Sequence, residues 1–307
     1  MAERPIEHLA RVALAQERAG VTAALRDVVA AYEHPVPDSP RARDVAWLAG
    51  RPHEEELSGV LALAVHDAAE ILRATREHVL ALEAVLAADD MLPIPALTLA
   101  RAVHESVIYI CWLADPNLPP AQRVARAAAM TLAASQGGHE VLPVFPGQMA
   151  AESQRVREGF MGIQRLMEGY GLIINRRDGT DYGTSVVCEG QKAPLRINAT
   201  QESRRYIPGN HHMWVTGSGA AHSRGWFTRG LEGPWPELVV MAVAPLLDVV
   251  DALIDNTHGY AGLDTAAIHT RTHLRRRALL DRVRPSSVVE GYETYALQRD
   301  LPNAASP

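Results

Sequence analysis

Hydrophobic positions along the chain recur mostly at spacings of three and four, the pattern of helices buried on one side. Residues 5–33 carry Ile6, Leu9, Ala13, Leu14, Val21, Leu25, Val28 and Val29 on that period. Residues 54–88 carry Leu57, Leu61, Ala64, Val65, Ala68, Leu72, Val79 and Leu86, with His66, Glu70, Arg73 and Glu77 on one polar face. Between them, residues 34–53 contain Pro35, Pro37, Pro40 and Pro52 and read as a connector anchored by Trp47 and Leu48. A further helix is expected over 120–136, stopped by Gly137-Gly138, then a loop over 139–148 and a helix over 149–169.

The stretch Ala96–Ala114 organises the rest. Its start is marked by Pro93 and Pro95, and its end by Asp115-Pro116 and Pro119-Pro120. Its interior is apolar nearly all round (Val103, Val107, Ile108, Ile110, Cys111, Trp112, Leu113), which predicts burial on every side. Embedded in it are Arg101, His104 and Glu105. Arg101 and Glu105 are four apart and positioned to pair. Buried charge must be paired, so the trio is either a structural ion pair fixing helix register or the lining of a pocket.

The period changes after residue 170. Leu172–Asn175 and Ser185–Cys188 favour strands, and Asp178-Gly179 lies between them, so residues 171–199 read as a β-hairpin excursion. Helices are then expected over 211–227, 236–256 and 263–283, with a tail poorly ordered beyond about residue 297. The expected fold is a mainly all-α multi-helix bundle with a small β-hairpin insertion. Its parts are an N-terminal helix and connector (1–53), a helical core (54–284) and a C-terminal tail (285–307).

Composition agrees with a globular chain: 307 residues, 47% apolar and 21% charged. A net charge of −6 excludes a uniformly basic nucleic-acid footprint. Basic residues do collect at Arg271, Arg275, Arg276 and Arg277, where RNA could be met, although such runs are more often a solvated helix face. No apolar run reaches 18 residues without interruption and the N-terminus is charged, so no membrane span or signal peptide is expected, and the reading is cytoplasmic. Cys111 and Cys188 lack zinc-site spacing, and Cys111 reads as a small core residue.

The chemistry-bearing residues are Arg101, His104 and Glu105 together with Ser218 and His222, which are four apart on one helix face. If the two helices face each other, His222 can donate to Glu105 while Arg101 binds an anion. A Ser/His/carboxylate relay is weakened because Thr216 stands where GxSxG needs glycine. His66 with Glu70, and Asp248, Asp251 and Asp255 at i, i+3 and i+7, are metal-compatible patterns that more often mark solvent faces. Neither metal nor cofactor is expected. Phosphate-loop and dinucleotide fingerprints do not occur.

RAVHESVIYICWLADP followed by RVAR, and later WVTGSGAAHSRGW, resembles a family of actinobacterial helical proteins over roughly residues 55–260. The shared positions are Arg101, Glu105, Trp112, Leu113, Asp115, Pro116, Arg123, Arg126, Ser218, His222 and Trp226. More distantly the chain is similar to HEPN (higher eukaryotes and prokaryotes nucleotide-binding) domains. Many of those are metal-independent ribonucleases with an Arg-x4–6-His motif. Arg205 and His211 have that spacing, but Pro208-Gly209 break the helix the motif needs. Three functions therefore follow as expectations: a pocket for a small polar or anionic ligand, a HEPN-like ribonuclease or nucleotide-handling enzyme, or a biosynthetic enzyme using His/Glu acid–base catalysis. Enzyme status and a homodimer stay open.

Overall fold

The computed structural model describes residues 5–88, 92–141, 149–224 and 235–280. The described helices are α1 (Pro5–Glu33), α2 (Pro40–Leu48), α3 (Glu54–Leu86), α4 (Pro93–Ala114), α5 (Pro120–Val141) and α6 (Met149–Gly169). Strands β1 (Ile173–Arg176), β2 (Gly183–Cys188) and β3 (Gln191–Pro194) follow. Then come α7 (Ala199–Tyr206), a 3₁₀ turn at Pro208–Asn210, α8 (His211–Ala221), α9 (Trp235–Ala261) and α10 (Ala266–Leu280). The mainly helical bundle with a small β insertion is the expected class.

Helix α4 is the hub. It packs against α3, α9, α8, α7 and α5. Ile108 and Cys111 are fully buried and Leu97, Ala100, Val103 and Val107 nearly so. By length and composition α4 could cross a membrane, but half of its apolar window is buried by neighbouring helices, as in the core helix of a bundle. Helix α1 packs on α9, α3 and α10, and one hydrophobic cluster runs from Ala10 to Leu279. Residues 5–33 therefore share the core with the rest rather than standing apart from it.

The three strands form one antiparallel sheet in the order β1-β2-β3. Ile174 pairs with Val186 and Val186 with Ala193, and all three turn inward toward α5, as a period of two requires. The sheet lies against the Gln136 end of α5, whose side-chain Oε1 accepts the Gly183 N–H at 2.9 Å.

Three expectations need correction. The proline-rich segment 34–53 holds α2. Ser39 caps it by accepting the Ala42 N–H at 3.0 Å, and Pro40 sits at the first helical position, where a missing N–H costs nothing. Gly137-Gly138 do not end α5, which runs on to Val141, because neither glycine adopts the left-handed backbone of a helix stop. The hairpin expected over 171–199 carries a third strand. Glu189 and Gly190, both at positive φ, turn the chain into edge strand β3, and Asn198 caps α7 by accepting the Gln201 N–H. The expected loop from residue 142 onward, the end of the helix expected over 211–227, Trp226 and the tail 285–307 lie outside the described residues.

Candidate functional site

The C-terminal end of α4 shows what its Trp-Leu-x-Asp-Pro ending does. The last carbonyls of a helix have no intrahelical donor. Arg123 and Arg126 of α5 supply donors. Arg123 donates to the carbonyls of Leu113 and Asp115 at 3.0 Å each, and Arg126 to the Trp112 carbonyl at 2.5 Å. Arg123 also pairs with Asp44 at 2.9 Å, both almost fully buried, and Tyr260 donates to the same carboxylate at 3.0 Å. Burial pushes the Asp44 carboxyl and the Tyr260 phenol above their ordinary ranges, and Arg123 opposes the shift at Asp44. Asp115 accepts from Arg205 at 2.5 Å and from Tyr206 at 3.1 Å, which ties α7 to the same corner. The arginines of this motif are thus helix-capping groups buried in the fold.

The trio on α4 is split. His104 is 1% exposed and its Nε2 lies 3.0 Å from Ser203 Oγ on α7. Arg101 stacks its guanidinium over the Trp214 ring of α8, 4.5 Å from the centroid. Glu105 faces the other way, into a shallow recess shared with His78, Ser106 and Tyr109. Among the described residues Arg101 and Glu105 form no ion pair, so the expected i, i+4 bridge is corrected. Helices α4 and α8 do face each other, but His222 caps the far end of α8 and is exposed, and Ser218 is only half-buried. Among the described residues, Arg101 thus meets α8 and His104 meets α7, while Glu105 lies in the recess against α3 and His222 is exposed at the end of α8.

A polar cluster lies at the α7–α8 corner. Arg204 Nε donates to His211 Nε2 at 3.1 Å, and His211 Nδ1 stands 3.5 Å from Ser203 Oγ. Burial and then the Arg204 charge lower the His211 pKa, so its ring is neutral and accepts from the arginine. The helix is broken at Pro208–Asn210 as expected, and Arg205 turns away to Asp115. The fully buried Ser203 is out of reach of a substrate and unsuited to nucleophilic attack.

Of the aspartates at 248, 251 and 255 on α9, the first two are turned away from solvent, while the Asp255 side chain is about two-fifths exposed. Asp248 and Asp251 are almost fully buried and both pair with Arg276, which is 2% exposed. Asn210 donates to Asp248 at 2.5 Å. His269 contacts Asp255 at 2.5 Å and Asp251 at 3.4 Å, and these bonds hold its pKa at about 10. Arg275 pairs with Glu17 of α1. Two of the four arginines expected to meet RNA, Arg275 and Arg276, are thus spent inside the fold, leaving Arg271 and Arg277 exposed. By contrast, the polar stripe of α3 does face solvent, with Arg73 held between Glu70 at 3.0 Å and Glu77 at 2.8 Å.

A further apolar feature is not announced by the sequence pattern. A cleft of about 660 Å³ opens between α1 and α3. Its floor is Val103, Val107, Ile110 and Leu113 of α4 with Leu246, Leu247 and Leu253 of α9, all buried. Val21, Leu25, Val65 and Leu72 form half-buried walls. Exposed lining residues, among them Arg26, Val29, Ala69, Arg73 and Arg76, place the mouth along the α1–α3 seam. Periodicity alone marks these residues as helix faces that seek burial. It does not say how closely two such faces approach.

Comparison with protein-family models, with curated proteins and with solved structures finds no match for this chain.

Proposed function

We propose that this chain is a small-molecule binding protein whose ligand enters between α1 and α3 and lies on the apolar floor of α4 and α9. The carrying observation is the cleft itself. Its volume of about 660 Å³ falls within the usual range for ligand pockets, and the surface it presents is mostly apolar. The proposed ligand lies at the α1–α3 seam and not beside Arg101, Glu105 and His222. The test is a titration with the neutral apolar fluorophore N-phenyl-1-naphthylamine. Wild type is expected to bind it saturably, and Ala69→Trp, a change at the exposed mouth, to weaken binding at least tenfold. Equal binding by both proteins, or none by wild type, would overturn the reading.

A second reading is favoured by the Arg204–His211 contact. If Arg204 turns from His211 Nε2 to a phosphate, the freed lone pair of the neutral imidazole can accept a ribose 2′-hydroxyl proton, as a HEPN-like ribonuclease would need. Asp248 joins this corner to α10 by accepting from both Asn210 and Arg276, and Arg271 and Arg277 are exposed on that helix. RNA cleavage in the presence of a chelator, lost in His211→Ala, supports this second reading. No cleavage by wild type removes it.

A further inference from the structure

The charges around the cleft mouth are not equivalent, and their pairing points to the ligand class. Arg18 is tied to Glu83 at 3.0 Å. Arg73 is held between Glu70 and Glu77, Glu17 is taken by Arg275, and Arg123 is buried against Asp44. Two lining cations are left. Arg26 of α1 and Arg76 of α3 are both exposed, and among the described residues neither has an ion-pair partner.

These two belong to opposite lips of the mouth at one level. Arg18 pairs with Glu83 near the end of α3, while the α3 residues that share the cleft with the later part of α1 lie earlier, from Leu61 to Val79, so the two helices run antiparallel in this register. At 1.5 Å per residue, Arg26 lies ~12 Å beyond Arg18 along α1, and Arg76 lies ~10 Å before Glu83 along α3. The guanidinium groups therefore flank the same part of the opening. Glu33 also lies at the mouth, but two helical turns further along α1. Below the arginines the floor runs along α4 from Val103 to Ala114, a length of ~16 Å without charge. The cleft is apolar along its length and cationic at one point on its rim.

We infer that the ligand is an anionic amphiphile, with an unbranched apolar chain lying along α4 and α9 and a single anionic head held between Arg26 and Arg76. This rests on the cleft reading and adds the head group to it. Two guanidinium forks meet an anion by charge-assisted, bidentate bonds, while a neutral head leaves them solvated and gains nothing. Because both arginines are at the surface, their contribution falls with added salt while the chain's contribution does not.

The experiment compares dodecanoate with dodecanol by isothermal titration of the full chain at low and high salt. The proteins are wild type, Arg26→Gln/Arg76→Gln and Ala69→Trp. Both arginines are exposed, so the double variant keeps the fold, and its melting curve checks this. Wild type is expected to bind dodecanoate at least tenfold tighter than dodecanol. The double variant removes that difference and leaves dodecanol affinity unchanged, and high salt reduces the wild-type preference. Equal affinity of wild type for both compounds, with Ala69→Trp weakening both, overturns the head-group inference while the cleft reading stands. Failure of wild type to bind either compound overturns both.

Discussion

Gly217 of α8 sits so close to Arg101 of α4 that there is no room for a side chain between them. A Cβ at Gly217 would lie 2.7 Å from Arg101 Cβ and 3.3 Å from the Leu97 carbonyl oxygen. Neither atom is the free end of a flexible chain, so one helix must shift. Gly217→Ala is expected to destabilise the protein by about 1–3 kcal/mol, the range for overpacking a buried contact. Gly59→Ala, at an exposed position in the second turn of α3 where nothing lies within 4 Å, is expected to stabilise it by about 0.5–1 kcal/mol. Urea unfolding midpoints at unchanged slope measure both.

The cap on α4 is a second test. Arg123→Met leaves Asp44 buried without its cation and removes the donor to Leu113 and Asp115. The expected loss is about 3–5 kcal/mol, the usual cost of removing one partner of a buried pair. Adding Asp44→Asn removes the stranded charge, and part of the stability is expected to return. A double-mutant cycle by chemical denaturation reads the coupling.

Glu105→Gln is expected to change stability by less than about 0.5 kcal/mol, because Glu105 faces an open recess and does not pair with Arg101. A drop of several degrees in Tm would show that Glu105 carries a structural ion pair after all.

The His269 cluster predicts a pH dependence. Its hydrogen bonds to Asp251 and Asp255 raise its folded pKa to about 10, above the ordinary value of 6.5, against the opposing effect of burial. A raised pKa means the stabilisation is complete below about pH 6.5 and is lost as pH climbs toward 10. Asp251 and Asp255 of α9 face the ring, Arg276 shares Asp251, and burial together with the His269 charge lowers the pKa of the nearby His258. His269→Asn is expected to flatten this part of the stability–pH curve. Since the ring is about one-third exposed, the slope should be a fraction of the ~1.4 kcal/mol per pH unit that one fully coupled group gives. Denaturation midpoints between pH 6.5 and 10 check it.

Much of the helical frame is legible in the sequence because its signals are local. Pro93, Pro95 and Asp115-Pro116 bracket α4, and the three-and-four spacing of Leu57 to Leu86 marks α3. Helix α2 is hidden because its start signal, Ser39-Pro40, lies among prolines that also suit a connector. Strand β3 is hidden because Glu189-Gly190 is a weaker turn signal than Asn-Gly and because Pro194 suggests a strand's end. The roles of Asp248 and Asp251 could not be read, since spacings of three and four look alike in water and in a core. What decides is Arg276, 28 residues from Asp248, and no local pattern announces it. The cleft escapes for the same reason: its lining residues carry core periodicity, and the gap between α1 and α3 is a property of packing.

Amide hydrogen exchange of the full chain with and without saturating dodecanol tests the cleft directly, and the same map reports on the Arg204–His211 corner. The account predicts slower exchange in α1 from Arg18 to Glu33 and in α3 from Leu61 to Val79, with residues 203–211 unchanged. Exchange unaltered along the α1–α3 seam, or protection confined to the α7–α8 corner, would contradict it.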